Sequence, residues 1–200
     1  MKKNRFSSVS NKLPTLESNR LTLRKMLFED ANDMFEYSHN PEVSKYLTWY
    51  PHDSIDYTKA YLRYISQQYR TGNCLDWAII HKKTHKMIGT CGLVRIDYQN
   101  NSAELGYVIN PLFQRQGIAP EAAWEVIKFG FKVLGLQRIE ARYMIENTPS
   151  RKVMERCHMT FEGVRRSGAF VKEIYRDLGI CAITKDDFLS VTEKEEKTQE

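Results

Sequence analysis

Phe113-Gln114-Arg115-Gln116-Gly117-Ile118-Ala119-Pro120-Glu121 joins two segments of different periodicity. Before it, Ala103-Glu104-Leu105-Gly106-Tyr107-Val108-Ile109 alternates and predicts a strand. After it, Glu121 to Leu134 carries Ala122, Ala123, Val126, Ile127, Phe131 and Leu134 and predicts a helix that Gly135 ends. The stretch is therefore a polar turn between a strand and a helix. Pro120 suits the first helical turn, where its missing N–H costs nothing. Such a turn aims backbone N–H groups and the positive end of a helix dipole at one point, which suits a pyrophosphate. Gly117 lets the main chain approach the anion, and Arg115 adds positive charge. An ordinary strand-to-helix turn has the same local pattern, so the rest of the chain must decide.

Downstream, Gln137–Ile145 predicts a strand parallel to the one before the helix, through a right-handed crossover. Asn147-Thr148-Pro149-Ser150 opens a short helix running to about His158, with Thr148 as its cap and Pro149 at its first position. Two strands follow, near Phe161–Arg166 and Ile174–Thr184. Upstream, Cys74–His81 and Met87–Ile96 form a hairpin around the polar turn 82–86, next to Ser102–Ile109. Arg20–Arg24 alternates as a first strand, and Glu29–His39 is a helix ending before Pro41. Residues 41–53 form a loop rich in aromatics, with Tyr46, Trp49 and Tyr50. Asp56–Arg70 is a helix closed by Gly72, with Tyr57, Tyr61, Ile65 and Tyr69 spaced by four. That stripe reads as core before substrate wall. Residues 1–14 read as a flexible basic arm, 15–190 as a single α+β domain and 191–200 as a charged, disordered tail.

The 200 residues suffice for one sizeable core, and 42% hydrophobic with 28% charged residues is ordinary for a globular protein. No apolar run reaches the roughly 18 residues of a membrane span, and Lys2 and Lys3 precede no secretory core. These features predict a cytoplasmic protein. Cys74, Cys91, Cys157 and Cys181 are far apart and read as buried thiols, with neither disulfide nor metal expected. A net charge of +5 suits a polyanionic cofactor, but scattered Lys and Arg argue against nucleic acid. Nothing in the sequence fixes a monomer or a homodimer.

The element order and three motifs resemble the GNAT superfamily of acetyl-CoA-dependent N-acetyltransferases, from about Leu16 to Phe188. The first motif is Gln114-Arg115-Gln116-Gly117-Ile118-Ala119. It is framed by Gly106-Tyr107-Val108-Ile109-Asn110-Pro111 and by Glu121-Ala122, as in the RimJ/RimL-like group, which includes ribosomal-protein N-terminal acetyltransferases. The second is Asn147 to Ser150, followed by Val153-Met154-Glu155; the third is Tyr175-Arg176-Asp177. The resemblance implies a mostly antiparallel sheet of about seven strands with about four flanking helices. A splayed parallel pair would form the cofactor cleft.

It also implies roles. The turn Gln114, Arg115, Gln116, Gly117, Ile118 and Ala119 would hold the pyrophosphate of acetyl-CoA, and the pantetheine arm would lie along Tyr107–Ile109. A backbone N–H near Val108 or Ile109 would donate to the oxyanion. Asn147 would contact pantetheine or fix its turn. Ser150 would protonate the departing thiolate, because Met154 replaces the tyrosine that many members place there. No acid follows Glu162-Gly163 in Arg165-Arg166-Ser167-Gly168-Ala169, where the group often has a glutamate. Glu104 is then the candidate base, directly or through water. His158 and Cys157 read as structural. Trp49, Tyr50 and Tyr107 are the candidate acceptor contacts, with Asp53 and Asp56 the only acids near that wall. The expected reaction is direct transfer to a primary amine, first a protein N-terminal amine. A small amine such as an aminoglycoside, a polyamine or an amino acid is second. A non-catalytic acetyl-CoA sensor is the alternative from another class.

Overall fold

The computed structural model describes residues 13–71 and 73–199. The expected arm at 1–14 lies mostly outside that range, as does Gly72. Of the arm, Leu13 is buried and the Pro14 carbonyl accepts from the indole N–H of Trp77 at 2.8 Å.

Among the described residues the strands are β1 (Leu16–Glu17), β2 (Leu21–Arg24), β3 (Leu75–His81), β4 (Met87–Asp97), β5 (Ser102–Ile109), β6 (Arg138–Met144), β7 (Thr160–Val171) and β8 (Ile174–Thr184). The helices are α1 (Ala31–Ser38), α2 (Pro41–Ser44), α3 (Ile55–Thr71), α4 (Ile118–Phe129), α5 (Thr148–Arg156) and α6 (Lys185–Gln199). They form one sheet in the order β1-β2-β3-β4-β5-β6-β8-β7, antiparallel except for β5 and β6. The class is the expected α+β, with eight strands rather than seven and six α-helices rather than four. The additional strand β1 and helix α2 are too short to leave a period in sequence. Where a disordered tail was expected at 191–200, α6 continues to Gln199. Its start is fixed by a reciprocal cap: Thr184 N–H donates to Asp187 at 3.0 Å and Asp187 N–H to the Thr184 hydroxyl at 3.2 Å. Phe188 then stacks on Phe131, ring centroids 4.8 Å apart.

Period two divides the sheet into two faces. Leu75, Trp77, Leu93, Leu105, Tyr107 and Ile109 share the face that carries α4, where the rings of Trp77 and Phe129 meet edge to face at 5.2 Å. Gly130, just after α4, brings the chain close to the sheet: a Cβ there would stand 2.7 Å from Ile139 Cδ1. Asp76, Gly92, Val94, Glu104, Gly106 and Val108 lie on the other face, toward α1 and α3. The parallel ladder between β5 and β6 covers only Ser102↔Arg138, Ala103↔Ile139 and Glu104↔Glu140. Beyond Glu104 the two strands separate, and the segment Leu105–Ile109 borders an open wedge.

Candidate active site

The turn at the head of the wedge has the expected form, with its helix starting three residues earlier than the pattern suggested, at Ile118. Gly117 caps that helix in the left-handed region, with φ 76° and ψ 8°, and Arg115 also has φ 60°. The first helical bond runs from Glu121 N–H to the Gly117 carbonyl at 3.3 Å. The N–H groups of Ile118 and Ala119 therefore precede any partner within the helix and are available to an anion. The side chains of Gln114 and Gln116 point back into the loop, donating to the Ile109 carbonyl at 3.1 Å and the Leu112 carbonyl at 3.0 Å. Both bonds shape the turn.

A brace invisible in the local sequence holds this turn. Arg20 donates to the Gln116 carbonyl at 2.8 Å and to Glu121 Oε2 at 2.6 Å. Glu121 Oε1 accepts from the Arg20 N–H at 2.9 Å and the Ser18 hydroxyl at 2.7 Å. Burial alone would raise the Glu121 carboxyl, but these donors hold it below its ordinary value. The partners are 101 residues apart, so no spacing rule finds them.

Hydrogen-bond alternation sorts the two oxyanion candidates. Asn110 N–H donates to the Ile88 carbonyl at 2.8 Å, fixing which residues of β5 face β4. By that alternation the Val108 N–H is directed at β4, paired with Thr90, whereas the N–H groups of Tyr107 and Ile109 face the wedge. Of the two, the Ile109 N–H is the one placed to donate.

Asn147 caps α5, one residue before the expected Thr148, and its side chain accepts from Ser150 N–H at 3.3 Å. Pro149 is thus at the second helical position. Ser150 Oγ lies 2.8 Å from the Tyr107 hydroxyl, which also donates to the Ser150 carbonyl at 3.0 Å. Tyr107, read as an acceptor contact, thus belongs with the proton-donor candidate. Burial pushes its hydroxyl well up, with the Ser150 bond pulling the other way. Met154, at the position of the absent tyrosine, is 2% exposed and packed in the core. Burial pushes the neighbouring Cys157 thiol up to about 12, which suits packing rather than nucleophilic chemistry.

Two carboxylates, Glu104 and Glu140, lie side by side where the strands separate. Glu104 pairs with Arg142 and lies 3.5 Å from Arg95 Nε. Asp76, which belongs to no sequence motif, lines a cavity of about 320 Å³ with Tyr61, Ile65, Asn73, Cys74 and Arg95. Burial pushes its carboxyl up to about 7, against the opposing pull of the Trp77 N–H. Tyr61 and Ile65 of the four-spaced stripe therefore wall a cavity, Tyr69 is core, and Tyr57 is exposed. Trp49 and Tyr50 are not among the cavity's walls. Trp49 packs on His52, and Tyr50 meets Lys172 of the β7–β8 turn, 5.3 Å from its ring centroid. Lys172 donates to the Ser44 carbonyl at 2.6 Å, so the aromatic loop and that hairpin tip are joined. Among the described residues no helix is long and apolar enough to cross a membrane.

Known proteins agree with this geometry. Residues 20–160 match the acetyltransferase (GNAT) domain family. An uncharacterized N-acetyltransferase p20 from Bacillus licheniformis is 35% identical over 88% of this chain and 99% of its own length. A spermidine N(1)-acetyltransferase from Vibrio cholerae is 23% identical over 88% of this chain and 99% of its own. The crystal structure of a GNAT-family acetyltransferase from Bacillus anthracis superposes with a TM-score of 0.77 at 26% identity, covering 86% of this chain and 99% of that one. The left-handed glycine cap, the free N–H groups behind it and the wedge beside Ile109 fit acetyl-CoA as co-substrate. The chain belongs to the GNAT family and is an acetyl-CoA-dependent N-acetyltransferase.

Proposed function

We propose that the acceptor is the α-amino group at a peptide or protein N-terminus, as in the RimJ/RimL-like group. The observation that carries this reading is the cavity between α3 and the β3–β4 strands. Its walls are largely aromatic and aliphatic, and Asp76 is the one acid among them. An α-amino group has a pKa of about 7.7–8.0 and needs one weak base at neutral pH. A polyamine carries several charges, each calling for its own carboxylate. The spermidine acetyltransferase among the relatives favours the polyamine as the competing reading. Thiol release from acetyl-CoA with peptides beginning Ala, Ser or Met, set against spermidine, separates the two. Faster turnover of the peptides is expected, and turnover of spermidine alone refutes this reading.

Within this reading the chain's residues divide the work. Acetyl-CoA supplies the activated acetyl group. The main chain of Gly117, Ile118 and Ala119, with Arg115, holds its pyrophosphate, and Asn147 orders the helix start beside its arm. The Ile109 N–H donates to the carbonyl oxygen as negative charge develops there. The amine nitrogen forms its bond to the acetyl carbon, the carbon–sulfur bond breaks, and Ser150 Oγ returns a proton to the sulfur. Tyr107 holds the Ser150 hydroxyl in place. Ser150→Ala is expected to lower kcat about 100-fold, the low end for loss of a general acid. Tyr107→Phe should give a smaller drop of about 10-fold, with acetyl-CoA affinity kept in both. Steady-state kinetics with a calorimetric Kd check this; an unchanged kcat in Ser150→Ala would remove it from the chemistry.

A further inference from the structure

We propose that Asp76 is the base that takes the proton from the acceptor amine, reaching the reacting carbon along a lane opened by two glycines. This rests on the transferase activity and on the placement of the wedge, and it deepens the reading of the acceptor site. The register aligns Asp76 of β3 with Gly92 of β4, and Gly92 with Gly106 of β5, in one row on one face of the sheet. Paired residues point to the same side, so Asp76 supplies the only side chain in that row. A Cβ at Gly92 would stand 2.5 Å from Asp76 Cα and 2.6 Å from Asp76 Oδ1, so only glycine at this position leaves the side of the carboxylate facing β4 uncovered. A Cβ at Gly106 would meet nothing within 4 Å, so the lane ends in open space. Adjacent strands are ~4.8 Å apart, so Gly106 lies about two strand spacings from Asp76, a lane that the acceptor amine would occupy. Gly106 stands just past Glu104, the last residue in the parallel ladder, where the wedge opens. An amine entering the cavity of Tyr61 and Ile65 meets Asp76 on its way there.

The carboxylates at the end of the parallel ladder are already engaged: Glu140 pairs with Arg138 and Arg142. Glu104 pairs with Arg142 and lies near Arg95. Asp76 accepts from the Trp77 N–H, and no ammonium or guanidinium of the described residues is among the groups acting on it. The titratable groups that feel its charge are Tyr61 and Tyr69 from α3, Tyr37 from α1, Cys74 just before β3 and, from the other face of the sheet, Cys91 on β4. Arg95 stands on the cavity wall, and Lys25 lies over the Tyr69 ring at 5.3 Å. A carboxyl that titrates near neutrality is matched to this task, because it is ionised and still basic at working pH. In the balanced step the amine nitrogen bonds to the acetyl carbon and loses its proton to Asp76 Oδ. The carbon–sulfur bond breaks, the thiolate takes the Ser150 Oγ proton as Ser150 regains one from solvent, and Asp76 gives the amine proton back to solvent, so no net proton stays on the enzyme.

The test compares wild type, Asp76→Asn and Glu104→Gln on whichever amine of the peptide and small-amine panel is turned over, so a wrong acceptor class leaves it intact. Asp76→Asn should lower kcat at least 100-fold at pH 7 with acetyl-CoA affinity unchanged. The wild-type kcat should rise with pH through about 7; this limb should vanish in Asp76→Asn and persist in Glu104→Gln. Burial raises the folded carboxyl above its ordinary 3.8, so ionising it costs stability progressively as pH rises from about 4 to 7. Asp76→Asn should therefore melt no lower than wild type at pH 8, a pattern that loss of a structural contact would not give. An Asp76→Asn enzyme with the wild-type kcat and acid limb overturns the proposal. So does a carbon-13 carboxyl titration of Asp76 in the wild-type protein with a midpoint near 4.

Discussion

Gly117→Asp is expected to weaken acetyl-CoA binding by at least about 100-fold while leaving the fold intact. Gly117 caps α4 with φ 76°, and Asp tolerates the left-handed region better than most side chains. A carboxylate at a helix N-cap accepts from first-turn N–H groups and is favoured by the dipole. A Cβ at this position would meet only Arg20 Nη2, at 3.4 Å, which gives the new charge a partner. The features that make Asp acceptable to the helix make it fatal to the anion site. It occupies the N–H groups of Ile118 and Ala119 and sets a negative charge against the pyrophosphate. A 100-fold loss is about 2.7 kcal/mol, within the range for a like charge set against a ligand anion. Calorimetric titration with acetyl-CoA, beside a melting curve, checks it. Binding within threefold of wild type would place the pyrophosphate elsewhere.

Gly89→Ala is expected to destabilise the protein by about 3 kcal/mol. Gly89 stands where the register between β3 and β4 shifts, and it pairs with Ile109. A Cβ there would lie 2.1 Å from the Val108 carbonyl oxygen and 3.1 Å from Ile109 Cα. Both contacts are backbone, so no side chain can swing away, and β5 must move along the border of the wedge. Overpacking of this kind costs typically 1–3 kcal/mol or more. For a chain of this size that lowers the melting temperature by roughly 6–12 °C. Since Ile109 moves with it, acetyl-CoA affinity should fall as well. A melting temperature within 2 °C of wild type would show that β5 does not run this close to β4.

The parts of the site legible in the sequence are those made within one short segment. Gly117 with its flanking strand and helix, and Asn147 with Ser150, are local devices whose chemistry is contiguous. Strand β8 runs Ile174–Thr184, the bounds expected from sequence. What failed to show was set by partners far apart in the chain. Arg20 and Glu121 meet across the sheet, and Tyr107 reaches Ser150 only because α5 packs beside β5. Asp76 reads in sequence as the polar member of an alternating strand; only the cover of α3 turns it inward. The aromatic loop is another case: the contacts of Trp49 with His52 and of Tyr50 with Lys172 at the hairpin tip have no signal in the local sequence. Helix α6 escaped because its charged composition resembles a tail, while its cap at Thr184 and Asp187 and the stacking of Phe188 are specific contacts.

The most direct measurement is thiol release from acetyl-CoA with a panel of acceptors, varying both substrates. The panel holds peptides beginning Ala, Ser or Met, the same peptides with blocked N-termini, polyamines, amino acids and aminoglycosides. The predicted result is turnover of the free peptides with intersecting initial-rate lines, as a ternary complex requires, and none of the blocked ones. Turnover confined to polyamines or other small amines, or parallel lines that signal an acetylated enzyme, would contradict it.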